Sequence, residues 1–324
     1  MTDAPGAPDQ PAPSPGHPGP AGSFPLPGTG RASVAVPAPG AGEGSWVGAP
    51  SAALDPDGGF VVAYRVRVTA QRGAATLVAR SDDGERLTTV AILDKERFGA
   101  MSMERPALVV TPEGRWRLYV CCATPNSKHW WIDVLEADKP EALAQADART
   151  VFAGDDRVGV KDPVVRVDGD GRWRAWICCH PLEEPDEEDR MTTAYATSDD
   201  GLTWDWHGTA LAGRPGTWDA RGARVTAVLP DGRATYDGRA TKEENFSERT
   251  GLARLAGPDP SRPTGAPLRG SPDPSGGRLV PEGDGPVADV RYLDILPLPG
   301  GAHRLWYESP LPDGSHELRT ELVG

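Results

Sequence analysis

Lys161-Asp-Pro-Val-Val-Arg-Val-Asp-Gly-Asp-Gly171 runs directly into Arg172-Trp-Arg-Ala-Trp176. An apolar stretch opens at Asp-Pro, stops at an Asp/Gly cluster, and resumes as alternating aromatic and basic residues. That pattern reads as a strand, a tight turn whose glycine supplies positive φ, and a second strand with one buried face. The same grammar recurs upstream as Glu104-Arg-Pro-Ala-Leu-Val-Val-Thr-Pro-Glu-Gly114 and as Gly48-Ala-Pro-Ser-Ala-Ala-Leu-Asp-Pro-Asp-Gly58. Downstream it recurs as Gly222-Ala-Arg-Val-Thr-Ala-Val-Leu-Pro-Asp-Gly232 and, more loosely, from Asp289 to Gly301. The turn glycines stand at 58, 114, 171, 232 and 301, in steps of 56, 57, 61 and 69 residues.

A third strand follows in most units, as in Ala75–Arg80 and Met191–Thr197. A fourth fits at Thr88–Leu93 and around His207–Leu211. Four antiparallel strands per unit, repeated radially, predict an all-β, five-bladed β-propeller. Its blades fall near 45–100, 101–155, 156–213, 214–280 and 281–324, with residues 31–36 returning as the outer strand of the last. A β-sandwich or two smaller β domains would not require five turn glycines at near-even steps.

Composition agrees. The 324 residues hold 39 glycines and 34 prolines, too many helix breakers for a helical protein. Eleven of the prolines lie in residues 1–40 with only three charged residues, so residues 1–30 read as a disordered Pro/Gly-rich tail. The net charge of −13 argues against a nucleic-acid partner. No 18-residue apolar run predicts a membrane span, and the start lacks the basic and apolar regions of a signal peptide. The cysteines form two vicinal pairs, Cys121-Cys122 and Cys178-Cys179, without the CxxC spacing of a zinc site. Neighbours on a strand face opposite ways. Buried structural thiols in a reducing cytoplasm are therefore expected. The acidic stretch Glu183–Asp189 reads as a solvated loop.

Glu104-Arg105-Pro106 and Lys161-Asp162-Pro163 opening successive blades, with Ser198-Asp-Asp-Gly-Leu-Thr-Trp204 in a hairpin, resemble the five-bladed propeller glycosidases, the family-43-like group of arabinanases, xylosidases and invertases. The Ser-Asp-Asp-Gly-Leu-Thr-Trp run is also similar to the Asp-box hairpin of sialidases, a folding device in which Ser and Asp satisfy turn amides. The resemblance implies a central channel lined by the first strand of each blade, with a dead-ended pocket suited to a terminal or small glycoside. It implies an acid, a base or nucleophile, and an orienting carboxylate contributed by different blades. Asp162 matches the orienting Asp-Pro, and Glu104 sits at the corresponding place one blade earlier. Two further positions of the pattern carry other residues: Ala49-Pro50 in the first blade and Arg221-Gly222-Ala223 in the fourth.

Asp219, Asp237, Asp289 and Glu308 lie near inner-strand ends, and Glu243 and Glu244 on a loop; Glu308 and Asp237 are the expected general acids. Arg105, His129, Trp130, Lys161, His180 and Arg221 are expected to bind substrate, with Trp130 stacking on a sugar ring and the basic groups meeting hydroxyls or an anion. Glu104 and Asp162 should share one pocket flanked by Arg105, Lys161, Arg221 and His129, each held as an anion. No cofactor and no essential metal are expected. The leading function is a glycoside hydrolase acting on a small carbohydrate. A non-catalytic carbohydrate-binding propeller and a phosphorolytic or anion-recognising sugar enzyme are the alternatives.

Overall fold

A computed structural model describes residues 24–257 and 277–324. The first 23 residues of the expected tail, and residues 258–276 of the fourth expected blade, lie outside the described residues. The described chain is nearly all β, with two short 3-10 helices, Lys95–Phe98 and Pro140–Gln145. After β1 (Arg31–Val36) come β2 (Trp46–Leu54), β3 (Phe60–Val68), β4 (Arg72–Ser81) and β5 (Thr88–Asp94). Next are β6 (Ala107–Val110), β7 (Trp116–Ala123), β8 (Trp130–Ala137) and β9 (Arg149–Phe152). Then follow β10 (Val158–Val167), β11 (Trp173–Pro181), β12 (Thr192–Ser198) and β13 (Asp205–Ala212). The chain continues through β14 (Gly222–Val228), β15 (Arg233–Arg239), β16 (Arg249–Leu255) and β17 (Leu279–Glu282). It ends with β18 (Arg291–Pro297), β19 (His303–Pro310) and β20 (His316–Val323).

Strands β6–β9, β10–β13 and β14–β17 each form a four-stranded antiparallel sheet in chain order. The other eight strands form one sheet ordered β18-β19-β20-β2-β3-β4-β5, with β1 also paired to β20. Its two halves meet at a single parallel pair, Trp46 opposite His316. All five turn glycines have positive φ, from 81° to 107°, as hairpin turns demand. At two further hairpins Ser81 and Asp83, and Ser198 and Asp200, turn their side-chain oxygens onto the turn's own amides, including Gly84 and Gly201.

Apolar side chains fill the gaps between successive sheets. Val61, Val78 and Leu93 meet Leu118 and Leu135; Tyr119 and Ile132 meet Trp173 and Ile177. Trp176 and Tyr195 meet Val225 and Tyr236, and Ala227 and Leu229 meet Leu293 and Leu305. Trp306 and Leu318 meet Val47 and Tyr64, joining the last strands to the first. Strand β7 is buried along its whole length because it packs on both faces, which explains its nearly unbroken apolar sequence. Cys122 and Cys121 face the two different clusters, as vicinal strand residues must, and all four cysteines are buried and free.

Phe24 and Leu26 pack against Leu293 and Leu305, and the N–H groups of Gly28 and Gly30 donate to Glu321. The packed chain therefore begins upstream of residue 31, where the sequence placed the end of the tail. No helix among the described residues is long and apolar enough to cross a membrane.

Candidate functional site

The first strand of four units carries a bulge: Gly48/Ser51 in β2, Lys161/Val164 in β10, Val225/Ala227 in β14 and Arg291/Asp294 in β18. A bulge re-aims a side chain that would otherwise alternate with its neighbours. At three of them a non-glycine residue takes left-handed backbone: Ala49 (φ 51°), Asp162 (φ 49°) and Tyr292 (φ 51°). Such conformations are sparsely populated and persist where the surroundings hold them. For Asp162 the surroundings are clear. Its N–H donates to Cys121 Sγ at 3.0 Å, and its Oδ1 accepts the Arg105 N–H at 3.1 Å.

These strand starts converge on a cleft of about 350 Å³. Its floor is Tyr292, whose ring centre lies 3.8 Å from the Arg224 guanidinium, 5.2 Å from that of Arg291 and 5.8 Å from that of Arg65. The Tyr292 hydroxyl accepts from Arg224 Nη1 at 2.9 Å and donates to Asp162 Oδ2 at 3.4 Å. Arg224 also reaches Asp162 Oδ2 at 3.2 Å and Asp237 Oδ2 at 2.6 Å. Glu308 is enclosed by Arg65 (2.8 Å), Arg291 (3.0 Å) and His316 Nδ1 (2.6 Å). Glu104 faces Arg65 at 3.0 Å and Arg67 at 3.6 Å. Glu248 pairs with Arg239, and with Arg291 Nε at 2.8 Å.

Burial acts to raise the Asp162 carboxyl, but Lys161 and Arg224 outweigh it and hold the group below the usual carboxylate value. Glu308 behaves likewise: burial is overcome by Arg65, Arg291 and His316, and the carboxyl lies well below its ordinary value. Asp237 moves the other way, because burial exceeds what Arg224 returns. His180, pushed down to about 3 by burial and by Lys161, stays neutral, its Nδ1–H donating to the Glu188 carbonyl.

Of the four carboxylates expected to be catalytic, Glu104 lines the cleft. Asp162 is fully buried immediately behind the floor, in contact with Tyr292, Arg224 and Lys161. Glu308 and Asp237, the expected general acids, are also completely enclosed and do not line it. Trp130, Lys161 and His180 also line it, with the Lys161 ammonium 4.7 Å from the Trp130 ring centre.

Three expected binding residues lie elsewhere. Arg105 is 1% exposed and spans the centre below the cleft. Its Nε donates to the Pro50 carbonyl, its Nη2 to the Thr226 carbonyl, and it pairs with Asp294 at 3.3 Å. It thereby ties together the first strands of three units, β2, β14 and β18. His129 turns into a separate depression, its Nδ1 bound to Thr124 Oγ1 at 2.7 Å. Arg221 pairs with Asp189 at 2.7 Å and Glu187 at 3.0 Å, outside the cleft. That pairing revises the acidic stretch too. Asp186, Glu188 and Asp189 line the cleft, so the segment is part of the site wall and not only a solvated loop.

The sequence reading missed Tyr292, Arg291, Glu248 and Trp46. Tyr292 had a signal: Leu293 stands eight residues before the turn glycine Gly301, the spacing that Pro50, Pro106 and Pro163 keep in their units. Among the described residues no group of three or more His, Cys, Asp and Glu side chains is arranged to hold a metal ion.

No family model matches the chain, and no curated protein matches it. Solved structures do. A thermostable family-43 glycoside hydrolase superposes with a TM-score of 0.60 at 12% identity, over 85% of this chain and 88% of that one. The α-L-arabinofuranosidase of Lactobacillus brevis gives 0.57 at 16% identity, over 85% and 89%. The β-1,2-mannobiose phosphorylase of Listeria innocua gives 0.56 at 14% identity, over 89% and 91%. The chain thus has the fold of family-43-type propeller glycosidases.

Proposed function

We propose that this chain is a five-bladed propeller, residues 31–324, that cleaves a terminal or small glycoside in its central cleft. The eight-stranded sheet counts as two blades, β2–β5 and β18–β20 with β1. Support for that count comes from five core clusters, each between successive units, the last joining β19 and β20 to β2–β4. The observation that carries the function is convergence. Side chains from all five units wall one cleft, and Arg105 closes the axis beneath it. A closed floor suits a chain end or a small sugar.

Within the cleft, Trp130 offers a face for a sugar ring, and Lys161 and His180 face its polar groups. Glu104 is the proposed base. Asp162 is a positioning residue, acting through Lys161, Arg224 and Tyr292. Glu188 is the proposed acid, because it lines the cleft and forms no ion pair among the described residues. A panel of aryl glycosides, assayed with and without phosphate across pH, tests this reading. A bell-shaped rate that falls ~10²-fold or more in Glu104→Gln and Glu188→Gln supports it. Folded protein that turns over no glycoside under either condition overturns it.

A carbohydrate-binding propeller without turnover is the second reading. Ala49-Pro50 and Arg221-Gly222-Ala223, which stand where the resemblance implies carboxylates, favour it.

A further inference from the structure

The buried floor of the cleft has more unpaired donors than unpaired acceptors. Every buried carboxylate around Tyr292 faces at least one cation, and among them only Glu248 Oε2 is buried without a hydrogen-bond partner. The oxygens of Glu104 face Arg65 and Arg67, and those of Glu248 face Arg239 and Arg291. Those of Glu308 meet Arg65, Arg291 and His316. Those of Asp162 take the Arg105 N–H, Arg224 and Tyr292, and those of Asp237 take Arg224 and the Tyr292 N–H.

The guanidinium groups are not exhausted. Arg65 Nη1, Arg224 Nε and Arg239 Nε are buried without a hydrogen-bond partner, on side chains no more than 2% exposed that line the cleft. The Lys161 ammonium stands beside them, held only loosely by Asp162 at 3.6 Å. Leaving a buried charged donor unmade is costly, so such a set implies a ligand that completes it. A neutral sugar hydroxyl both donates and accepts, so it would bring a further donor to a floor where unpaired donors already outnumber unpaired acceptors. An oxyanion only accepts. The wider lining agrees, with eight basic side chains against five acidic ones in a chain of net charge −13.

We propose that the floor of the cleft binds an oxyanion, phosphate-like or carboxylate, on Arg65, Arg224, Arg239 and Lys161. The inference rests on reading this cleft as the glycoside site, and it names the group that accompanies or belongs to the sugar. Two sources share the chemistry: a free inorganic anion, or an acidic group carried by the sugar itself.

Titration calorimetry with inorganic phosphate, sulfate, glucuronate and glucose tests it without requiring turnover. The full chain should bind at least one of the three anions with a Kd of about 1 mM or tighter, and glucose more weakly. Lys161→Gln should weaken that anion ~10-fold or more, the scale of one charge-assisted hydrogen bond. Arg239→Lys should also weaken it while keeping the charge, since the guanidinium fork is lost. Arg254→Gln, on an exposed side chain away from the cleft, should leave binding unchanged. Phosphate or sulfate binding alone marks a free anion, whereas glucuronate binding without phosphate or sulfate binding marks an acidic sugar; either supports the site. No binding of any anion overturns the proposal, and so does binding that neither Lys161→Gln nor Arg239→Lys weakens. Anion binding without turnover of any glycoside retires the cleavage reading alone. Turnover of neutral glycosides without anion binding retires the oxyanion site alone.

Discussion

Ala49 at the start of β2 and Asp162 at the start of β10 share a left-handed backbone, φ 51° and 49°, inside the same kind of bulge, and both are fully buried. Around Asp162 the side chain does the binding: it gathers Arg224, Lys161, Tyr292 and the Arg105 N–H. Around Ala49 there is no such side chain, and the preceding residue is Gly48. A Cβ on Gly48 would lie 2.4 Å from Glu308 Oε2 and 2.5 Å from Glu308 Cβ. In the first unit, then, the carboxylate beside the strand start is supplied by β19, and the first strand is stripped to make room for it. The bulge belongs to the fold; the chemistry is laid on it from whichever strand can reach.

The largest effect should come from removing the charge where the side chain carries it. Asp162→Ala keeps a residue that Ala49 shows the backbone accepts. It leaves the Arg105 N–H and part of the Arg224 guanidinium buried without their partner. Breaking a buried pair on one side costs about 3–5 kcal/mol, and urea unfolding at neutral pH should show a loss of that order. The acid limb carries the sign. The native Asp162 carboxyl titrates below its unfolded value, so its contribution is complete above about pH 4 and fades as pH falls through the native value. The gap between wild type and variant should therefore narrow in acid. A loss under about 1 kcal/mol at neutral pH would mean that the cations re-pair and that the two strand starts differ less than their contacts indicate.

The repeat was legible because turns leave a chemical trace: Pro, Asp and Gly at fixed offsets report backbone geometry directly. Glu104 and Lys161 sit at counted distances from those turns, whereas Trp130 and His180 were placed by following the second strand of their units. The register of the loops was not. His129 and Arg221 lie beyond strand ends, where no alternation says which way a side chain points. Arg105 was misread because its position beside Glu104 was clear and its reach across the axis was not. Glu248 follows a loop and precedes β16, a place with no counterpart in the turn grammar.

Gly48→Ala tests the other side of the comparison. Where the third unit has Lys161 before its bulge residue, the first has no side chain because Glu308 occupies the space. The added methyl would meet Glu308, which Arg65, Arg291 and His316 prevent from swinging away. Overpacking of this kind costs about 1–3 kcal/mol. Thermal and urea denaturation should both register it. A neutral result would show that Glu308 is mobile and that the first unit's floor is softer than the third's.

The smallest effect concerns the backbone the two regions share. In Ala49→Gly two contributions oppose. Glycine relieves a left-handed φ that costs an alanine about 1–2 kcal/mol. It also frees the unfolded chain by about 0.4–1 kcal/mol and removes a buried methyl worth about 0.8 kcal/mol. The expected net change is within about 0.5 kcal/mol of zero, a size ordinary denaturation curves barely resolve. The informative measurement is a pair. Ala63 in β3 is equally buried and has no positive φ, so Ala63→Gly loses the methyl and the chain entropy with no relief. Ala63→Gly should therefore be the more destabilised variant by about 1 kcal/mol or more, and the excess measures the strain stored in the bulge. Equal losses would mean that the bulge holds Ala49 without strain, and that the left-handed residue at Asp162 reflects its contacts alone.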